Sequence, residues 1–442
     1  MTDTHILNIG FDDTDSPKGM CTTFLAYKIV DLLKKQETEF LDFPKLIRFN
    51  PNIPWKTRGN GAVSLRIRTK NPSKIKNQIK NLVEKYSDIK NGANPGLVFY
   101  ESEEIPEQFT RFSKLALWQL INRNHAKKFA TKNNIEFFYQ GNGQGLVGAI
   151  GAIGYDFQDH TLELLSYRKN SNFGKERKLS AKSVKTMQEK TLPYTFNSFD
   201  NKKERVLITP HGPDPVFYGV RGENVNSLLR ATKILETDEK LAGYMIFKSN
   251  QGTGDHLKNE FNITNIKPYA SGKITGIISD EPKIVKGGHV FFSIISDGYE
   301  LRCAVYKPTG MSFVALSLIK GDKVCIGGGI RKASKNHPRI LNLEFIDVIN
   351  LEKNLIKSNP ICKKCDKKMK SKGKNQGYQC IKCGKKLANK VILEIPRKIK
   401  KQLYIPSVSA HRHLSRPLQR IGRINEESKF DESASWFCVY EK

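Results

Sequence analysis

Ile6-Leu7-Asn8-Ile9-Gly10-Phe11-Asp12-Asp13-Thr14-Asp15-Ser16-Pro17-Lys18-Gly19-Met20-Cys21-Thr22-Thr23 joins an apolar run of strand length to a turn that holds three carboxylates, a glycine and two adjacent hydroxyls. Beyond it Leu25, Ile29, Leu32 and Leu33 recur at i, i+4, i+7 and i+8, the stripe of one buried helical face. The turn is therefore expected to link a strand to the start of a helix. A helix start presents unpaired N–H groups and the positive end of the aligned peptide dipoles, and both favour a phosphate. Clustered carboxylates would repel that phosphate unless a cation lay between them. Mg2+ suits the role, because it takes oxygen ligands and keeps substrate phosphates in its shell. Strand, acidic turn and helix together form the pattern of a magnesium-nucleotide site. Turn formation or helix capping explains Asp15, Ser16 or Thr22 taken singly, but three neighbouring carboxylates gain nothing from turn chemistry. The segment is also not a Walker A loop, which needs G-x-x-x-x-G-K-[ST].

The 442 residues leave room for about two to four domains. Lys plus Arg is 74 against 44 Asp plus Glu, a net charge of +30, with a basic concentration from Lys353 to Lys401. Such an excess fits a polyanionic partner, since each neutralised phosphate releases a counterion. The N-terminus lacks the basic region and apolar core of a signal peptide, and no run approaches the roughly 20 apolar residues needed to cross a bilayer. A cytoplasmic protein is expected. In that reducing setting CxxC pairs mean metal more often than disulfide.

Further along, Phe49 to Gly61 is a loop dense in prolines, glycines and cations. Lys56 and Arg58 have the charge to neutralise phosphates, and Gly59 and Gly61 let backbone approach a ligand. The strand pattern Val63 to Arg68, a helix burying Ile75, Ile79, Leu82 and Val83, and an apolar stretch Gly96 to Tyr100 fit a small α+β subdomain of ferredoxin-like type. In Gly143 to Gly154 small residues recur every three or four positions, which suits close packing of a helix on a sheet more than ligand binding. The proline-fixed loop Thr209 to Glu223 confines Asp214, Tyr218, Arg221 and Glu223. A carboxylate beside aromatics suits a guanidinium ligand, although the residues alone are better explained by a rigid turn in which Asp214 and Glu223 cap their neighbours. From about Tyr269 several short alternating strands, separated by Asp-Gly or Gly-Asp turns, suggest an OB-fold barrel, whose usual ligand is an oligonucleotide. Cys362-x2-Cys365 and Cys380-x2-Cys383 bring two pairs of thiolates together and predict a closed tetrahedral structural Zn2+ site.

GFDDTDSPKGMCTTFLA from Gly10, FPKLIRFNPNIPWKTRGNGA from Phe43, GQGLVGAIGAIG (143–154), TLELLSYR (161–168), PVFYGVRGE (215–223), GGHVFF (287–292), the paired CxxC motifs and AHRHLSRPL (410–418) carry a resemblance over nearly the whole chain. They resemble the archaeal synthetases that attach agmatine to the wobble cytidine of an isoleucine tRNA. The resemblance implies an ATP-dependent ligase that forms a C–N bond at C2 of the wobble cytidine of the tRNA with a CAU anticodon. The route runs through a phosphorylated cytidine and gives 2-agmatinylcytidine, AMP and two phosphates, so that the tRNA reads AUA codons. It implies ATP, Mg2+ and structural Zn2+ as cofactors and tRNA and agmatine as partners, with no membrane and no protein partner. On that likeness Asp12, Asp13 and Asp15 hold Mg2+ and phosphates, Thr22 takes a phosphoryl group, and Gly19, Lys56, Arg58, Gly59 and Asn60 bind the nucleotide. Asp214, Tyr218, Arg221 and Glu223 are the candidates for agmatine. The residues by themselves leave Thr22 and Thr23 open.

The expected architecture is α+β and multidomain. Residues 1–265 form a catalytic half, an α/β kinase-like domain interleaved with the ferredoxin-like subdomain. An OB-fold follows over 268–350, a zinc ribbon over 355–395 and a basic tail over 396–442. The competing expectation is a non-catalytic RNA or single-stranded DNA binder, for which barrel and ribbon suffice. The acidic turn separates the two, because three aspartates within four positions oppose nucleic acid and serve no purpose in a pure binder.

Overall fold

The computed structural model describes residues 4–335, 338–426 and 430–440. The chain forms two compact units, Met1–Lys273 with Gly327–Arg339 and Pro406–Lys442, and Ile274–Ile326 with Ile340–Ile405. Among the described residues no helix is long and apolar enough to cross a membrane.

The first unit is built on an 11-stranded sheet made of two similar halves. In the first half, β1 (His5–Asp12), α1 (Thr22–Leu33), the strands Lys45–Arg48 and Gly61–Thr69, the helix Pro72–Tyr86 and the strand Gly96–Glu101 follow in chain order. Their spatial order is Gly96–Glu101, β1, Gly61–Thr69, Lys45–Arg48, with all neighbours antiparallel. Counting strands along the chain, that is 4-1-3-2, the ferredoxin-like βαββαβ arrangement. The second half repeats it with the strand Thr161–Arg168, the helix Ala181–Thr191, the strands Thr195–Phe196 and Val216–Gly222, the helix Val225–Ile234 and the strand Leu241–Ser249. Its antiparallel order is again 4-1-3-2. One parallel pairing joins the halves, with Lys45 opposite Lys248 and Leu46 opposite Ser249. The lysine-rich stretch from Lys169 to Lys190 holds most of the helix Ala181–Thr191, which buries Val184 and Met187.

Both faces of the first half are covered, which is why β1 is apolar without alternation. Phe24, Leu25, Ile29, Val30 and Leu33 of α1 and Ile75, Ile79 and Val83 of the next helix pack on one face. The helix Leu146–Ile153 covers the other face and is buried at every position except Val147. That contact explains the glycine in β1, since a Cβ on Gly10 would run into the Ala149 carbonyl oxygen. Ser64 Oγ donates to the Ala152 carbonyl at 3.0 Å across the same seam.

The C-terminal stretch expected as a basic tail from 396 onward is folded. Its described residues from Pro406 onward, 406–426 and 430–440, belong to the first unit. Trp436 is fully buried, and the strand Phe437–Val439 pairs with Leu241–Ser249. The fully buried Arg420 reaches Asp159 at 2.8 Å and Glu223 at 2.9 Å. Counting charge along a sequence cannot reveal this, because the matching carboxylates stand 261 and 197 residues away.

Five strands, Ser271–Ile278, Val290–Ser296, Tyr299–Val305, Lys323–Arg331 and Ile340–Asn350, lie mostly in the second unit and form a sheet that closes through pairing of the first two. The third and fifth strands run parallel, Cys303 opposite Leu341. This is the closed five-stranded barrel of an OB-fold. Beyond it a two-stranded ribbon, Asn354–Ser358 with Val391–Ile395, leads to a three-stranded sheet of Lys370–Ser371, Tyr378–Gln379 and Lys386–Leu387 that carries the cysteines.

Candidate active site

A cavity of about 970 Å3 opens in the first unit, lined from both halves of the sheet. The end of β1 and its loop contribute Asp12, Asp13 and Asp15, α1 contributes Thr22 and Thr23, and the strands of the second half contribute Glu163 and Arg221. The volume is at the upper end of the roughly 300–1,000 Å3 of small-molecule sites, room for more than one small ligand.

The acidic loop is held in an unusual backbone, with Asp13 at φ 57° and Met20 at φ 62°, both in the left-handed region. Ser16 and Gly19 close the loop on each other through backbone hydrogen bonds of 3.0 and 3.3 Å. Arg58 clamps it from outside, donating to the Ser16 carbonyl at 2.9 Å and the Met20 carbonyl at 3.0 Å and lying 3.2 Å from Asp15. Burial pushes the Asp12 carboxyl well above the usual range, with the neighbouring Asp13 charge adding to it. Asp13 is pushed up to about 7 by burial and then by Asp15. Asp15 is raised by burial despite Arg58. Three crowded carboxylates that resist ionisation are a donor set suited to a divalent cation, whose charge would reverse each of these shifts. Asp12 also lies against the helix Leu146–Ile153, where a Cβ on Gly148 would collide with its Oδ2. The glycines of 143–154 thus pack a helix, as expected, and Gly148 also makes space for a carboxylate.

The two threonines at the start of α1 are both buried yet differ in partners. Thr14 Oγ1 donates to Thr22 Oγ1 at 3.1 Å, which leaves the Thr22 proton free to go elsewhere. Thr23 Oγ1 is set against Cys21 Sγ at 3.1 Å, and its carbonyl accepts from Tyr167 at 2.8 Å.

Lys56, Arg58, Gly59 and Asn60 line the cavity; Gly19 does not. Arg58, expected to face phosphates, is engaged by Asp15 and lies 3.7 Å from Asp214. Of the four residues expected to hold agmatine, Asp214 and Arg221 line the cavity, whereas Tyr218 and Glu223 are not brought to it. Tyr218 is buried against Phe217. Glu223 accepts from Arg420 at 2.9 Å and Asn425 at 2.6 Å. Asp214 is itself held by Arg177 at 3.3 Å.

The cavity carries a polar network of which the sequence pointed to Arg221 alone. Glu163 is buried between Arg221 at 3.2 Å and Arg48 at 3.8 Å, and Gln251 donates to its other oxygen. His413 Nδ1 lies 2.7 Å from Arg221 Nη2 and 2.9 Å from Gln251 Oε1. Burial, then the charges of Arg48 and Arg221, hold His413 well below the usual histidine range. A signal did exist for Glu163: in TLELLSYR every residue is buried, so a lone acid inside an apolar strand needed a cationic partner. His413 and Arg412 lie in the AHRHLSRPL motif, far along the chain from Arg58, and only folding brings them together.

In the second unit the four Sγ atoms of Cys362, Cys365, Cys380 and Cys383 lie within 4.8 Å of one another. Each pair sits in a tight turn whose backbone amides point back: Cys365 N–H to the Cys362 carbonyl at 3.2 Å, and Gly384 N–H, at φ 72°, to the Cys380 carbonyl at 2.9 Å. N–H groups of Cys383 and Lys382 bring the Cys380 thiol down to about 6. Four convergent sulfurs of this kind fit a tetrahedral structural zinc.

A buried acidic loop in a large cavity, with an OB-fold and a four-cysteine ribbon elsewhere in the chain, defines a nucleic-acid-directed enzyme of phosphate chemistry. Three family models match, the TiaS TCKD domain at residues 8–72, the TiaS FLD domain at 143–256 and the TiaS C-terminal zinc ribbon domain at 359–399. The tRNA 2-agmatinylcytidine synthetase TiaS of Cenarchaeum symbiosum is 47% identical over 98% of this chain and 97% of its own length. That of Methanocaldococcus jannaschii is 40% identical over 94% and 99%. Among solved structures, apo TiaS superposes with a TM-score of 0.85 at 34% identity, and a complex of TiaS with its tRNA, AMPCPP and agmatine with 0.83 at 32%, each over 94% of this chain and 97% of the other. The chain belongs to the TiaS family of tRNA 2-agmatinylcytidine synthetases.

Proposed function

We propose that this chain joins agmatine to C2 of the wobble cytidine of an isoleucine tRNA at the expense of ATP, forming a C–N bond. The observation that carries this reading is the acidic loop, buried in a cavity beside Thr22 with its carboxylates raised by burial and mutual repulsion. A polar surface for RNA alone does not need it.

The C2 oxygen of cytosine is a poor leaving group, and a phosphoryl group placed on it turns it into phosphate, which a primary amine displaces at C2. One phosphate of ATP leaves that way. The second is released by water, leaving AMP, so the products are 2-agmatinylcytidine, AMP and two phosphates. The cytidine must leave its stack to be reached, at a cost of a few kcal/mol. A divalent cation held by Asp12, Asp13 and Asp15 would supply the positive charge that lets polyphosphate approach three carboxylates. Thr14 orients Thr22 Oγ1 at the start of α1, where backbone N–H groups favour a phosphoryl oxygen. That supports Thr22 rather than Thr23 as the hydroxyl that takes a phosphoryl group, the one that water then releases as the second phosphate. Arg58 keeps the loop closed, and Lys56 supplies cationic charge to the cavity. Asp214 and Arg221 remain the agmatine candidates that face the cavity, joined by Glu163.

The test is incubation of the full chain with ATP, labelled agmatine and total archaeal tRNA, followed by nucleoside analysis. Label in 2-agmatinylcytidine at the wobble position is expected. ATP turnover with all tRNA cytidines unmodified would overturn the reading.

A further inference from the structure

Trp55 stands at the cavity with half of its surface exposed, the one large apolar side chain among the described lining residues that is. The chain's other two tryptophans are used by the fold. Trp436 is fully buried against Phe40 and Phe43 with Lys34 over its ring at 4.7 Å. Trp118 donates Nε1–H to the Asp255 carbonyl at 3.0 Å. Among the described residues no ring or cation is set against the Trp55 indole. A ring so placed adds little to stability, since tryptophan is ordinarily buried for most of its area.

The loop that presents it is tied at its neck. Asn50, fully buried, donates to the Tyr269 carbonyl at 2.8 Å and accepts from Asn52 N–H at 2.9 Å. Asn60 donates to the Asn50 carbonyl at 2.8 Å, and Phe49 N–H to the Asn60 carbonyl at 2.8 Å. Pro51 and Pro54 fix φ between these ties and Trp55. An aromatic face held ready on a rigid loop binds without an ordering cost at the moment of contact.

Cations surround it. Lys56 follows directly, and Arg412 lines the same cavity with its Nη1 at 2.8 Å from Asn52 Oδ1. The Lys56 ammonium is lowered by burial and then by the Arg412 charge, so the two cations stand close. Such a setting repels a guanidinium, which would otherwise be the natural partner of an indole face. It suits a planar neutral ring that carries phosphates. We infer that Trp55 is a stacking platform for a nucleobase at the mouth of the cavity, holding the base of a nucleotide whose phosphates meet Lys56 and Arg412. The inference rests on the reading of the cavity as a nucleotide and RNA site. The shared chemistry is a nucleobase with phosphate, supplied either by ATP or by the wobble region of the tRNA.

Indole emission tests it on the full chain, with the Trp55→Phe variant subtracted to remove Trp118 and Trp436. Mg-ATP, an anticodon stem-loop of the isoleucine tRNA and agmatine are titrated separately, and binding is followed in parallel by filter retention or dialysis. Quenching by ATP assigns the platform to adenine, and quenching by the RNA alone assigns it to a tRNA base. In either case Trp55→Ala should weaken that ligand by roughly 5- to 150-fold, while Trp55→Phe keeps affinity within about threefold. The platform is overturned if neither nucleic-acid ligand alters the Trp55 emission, if agmatine alone does, or if Trp55→Ala binds both as tightly as wild type. Failure of the catalytic reading shows separately, as absence of agmatine from the tRNA whatever the emission does.

Discussion

At the scale of single residues, burial decides which charges are free to act. Arg58 and Asp214 stand among the candidate ligand-binding residues of the sequence, Asp214 by resemblance only, and both are held by other protein charges. Asp12 and Asp13 are raised, because burial and their neighbouring carboxylates outweigh what lowers them, and burial raises Asp214 as well despite its arginines. Asp12→Asn, Asp13→Asn and Asp15→Asn should each lower ATP turnover roughly 100-fold or more while leaving tRNA affinity nearly unchanged, as ATPase assays and filter binding will read. In the same loop Thr22→Ala should lose both labelling by γ-labelled ATP and formation of modified cytidine, whereas Thr23→Ala should keep the labelling; phosphate found on Thr23 or Ser16 by peptide mass spectrometry would refute the assignment. His160 gives a pH prediction. Burial, and next the Lys248 charge, hold it down to about 4, below its unfolded value. The folded chain therefore refuses a proton that the unfolded chain accepts, and stability present above the unfolded pKa is lost as pH falls towards 4. His160→Gln should flatten this acid limb of the denaturation midpoint between about pH 6.5 and 4, compared with wild type.

At the scale of elements, close approach rather than propensity sets the site. The helix Leu146–Ile153 lies on β1 so tightly that two glycines are required for different reasons. Gly10→Ala drives a methyl into the Ala149 carbonyl and should destabilise by about 1–3 kcal/mol. Gly148→Ala meets the Asp12 side chain rather than a backbone carbonyl, so it should lower ATP turnover with a smaller loss of stability. Thermal melts and turnover on both variants separate the two effects. The cysteine ribbon is a second such element, in which ligand geometry and folding are coupled. Cys362→Ser or Cys383→Ser should release one equivalent of zinc per chain and weaken tRNA binding, and wild-type protein found to hold neither zinc nor iron would remove the basis for this.

At the scale of the whole molecule, the chain's two ends share one unit. Cutting after Ile405 would remove Trp436, Arg420, His413 and the strand Phe437–Val439. It would leave Asp159 and Glu223 buried without their arginine, a loss of several kcal/mol. The truncated chain should therefore melt at lower temperature and fall to limited proteolysis in the first unit, where a dispensable tail would leave both unchanged.

By itself the sequence determined whatever depends on neighbours along the chain. The strand, acidic loop and helix around Asp12 to Thr23, the alternation of the barrel strands and the paired cysteines are local patterns, legible because spacing alone sets which side chains meet. The 4-1-3-2 order in both halves of the sheet was only partly legible, since strand order is fixed by pairings between distant segments that carry no local signature. Apart from Arg221, the polar network of the cavity was illegible for the same reason. Glu163, Arg221, Gln251 and His413 come from widely separated segments, and only the fold decided that His413 belongs to the cavity and that Glu223, so near Arg221 in sequence, faces Arg420 instead. The strand that carries Arg221 ends at Gly222, so the alternation that would keep Glu223 on the same side no longer holds there, and burial then selects a different partner for each.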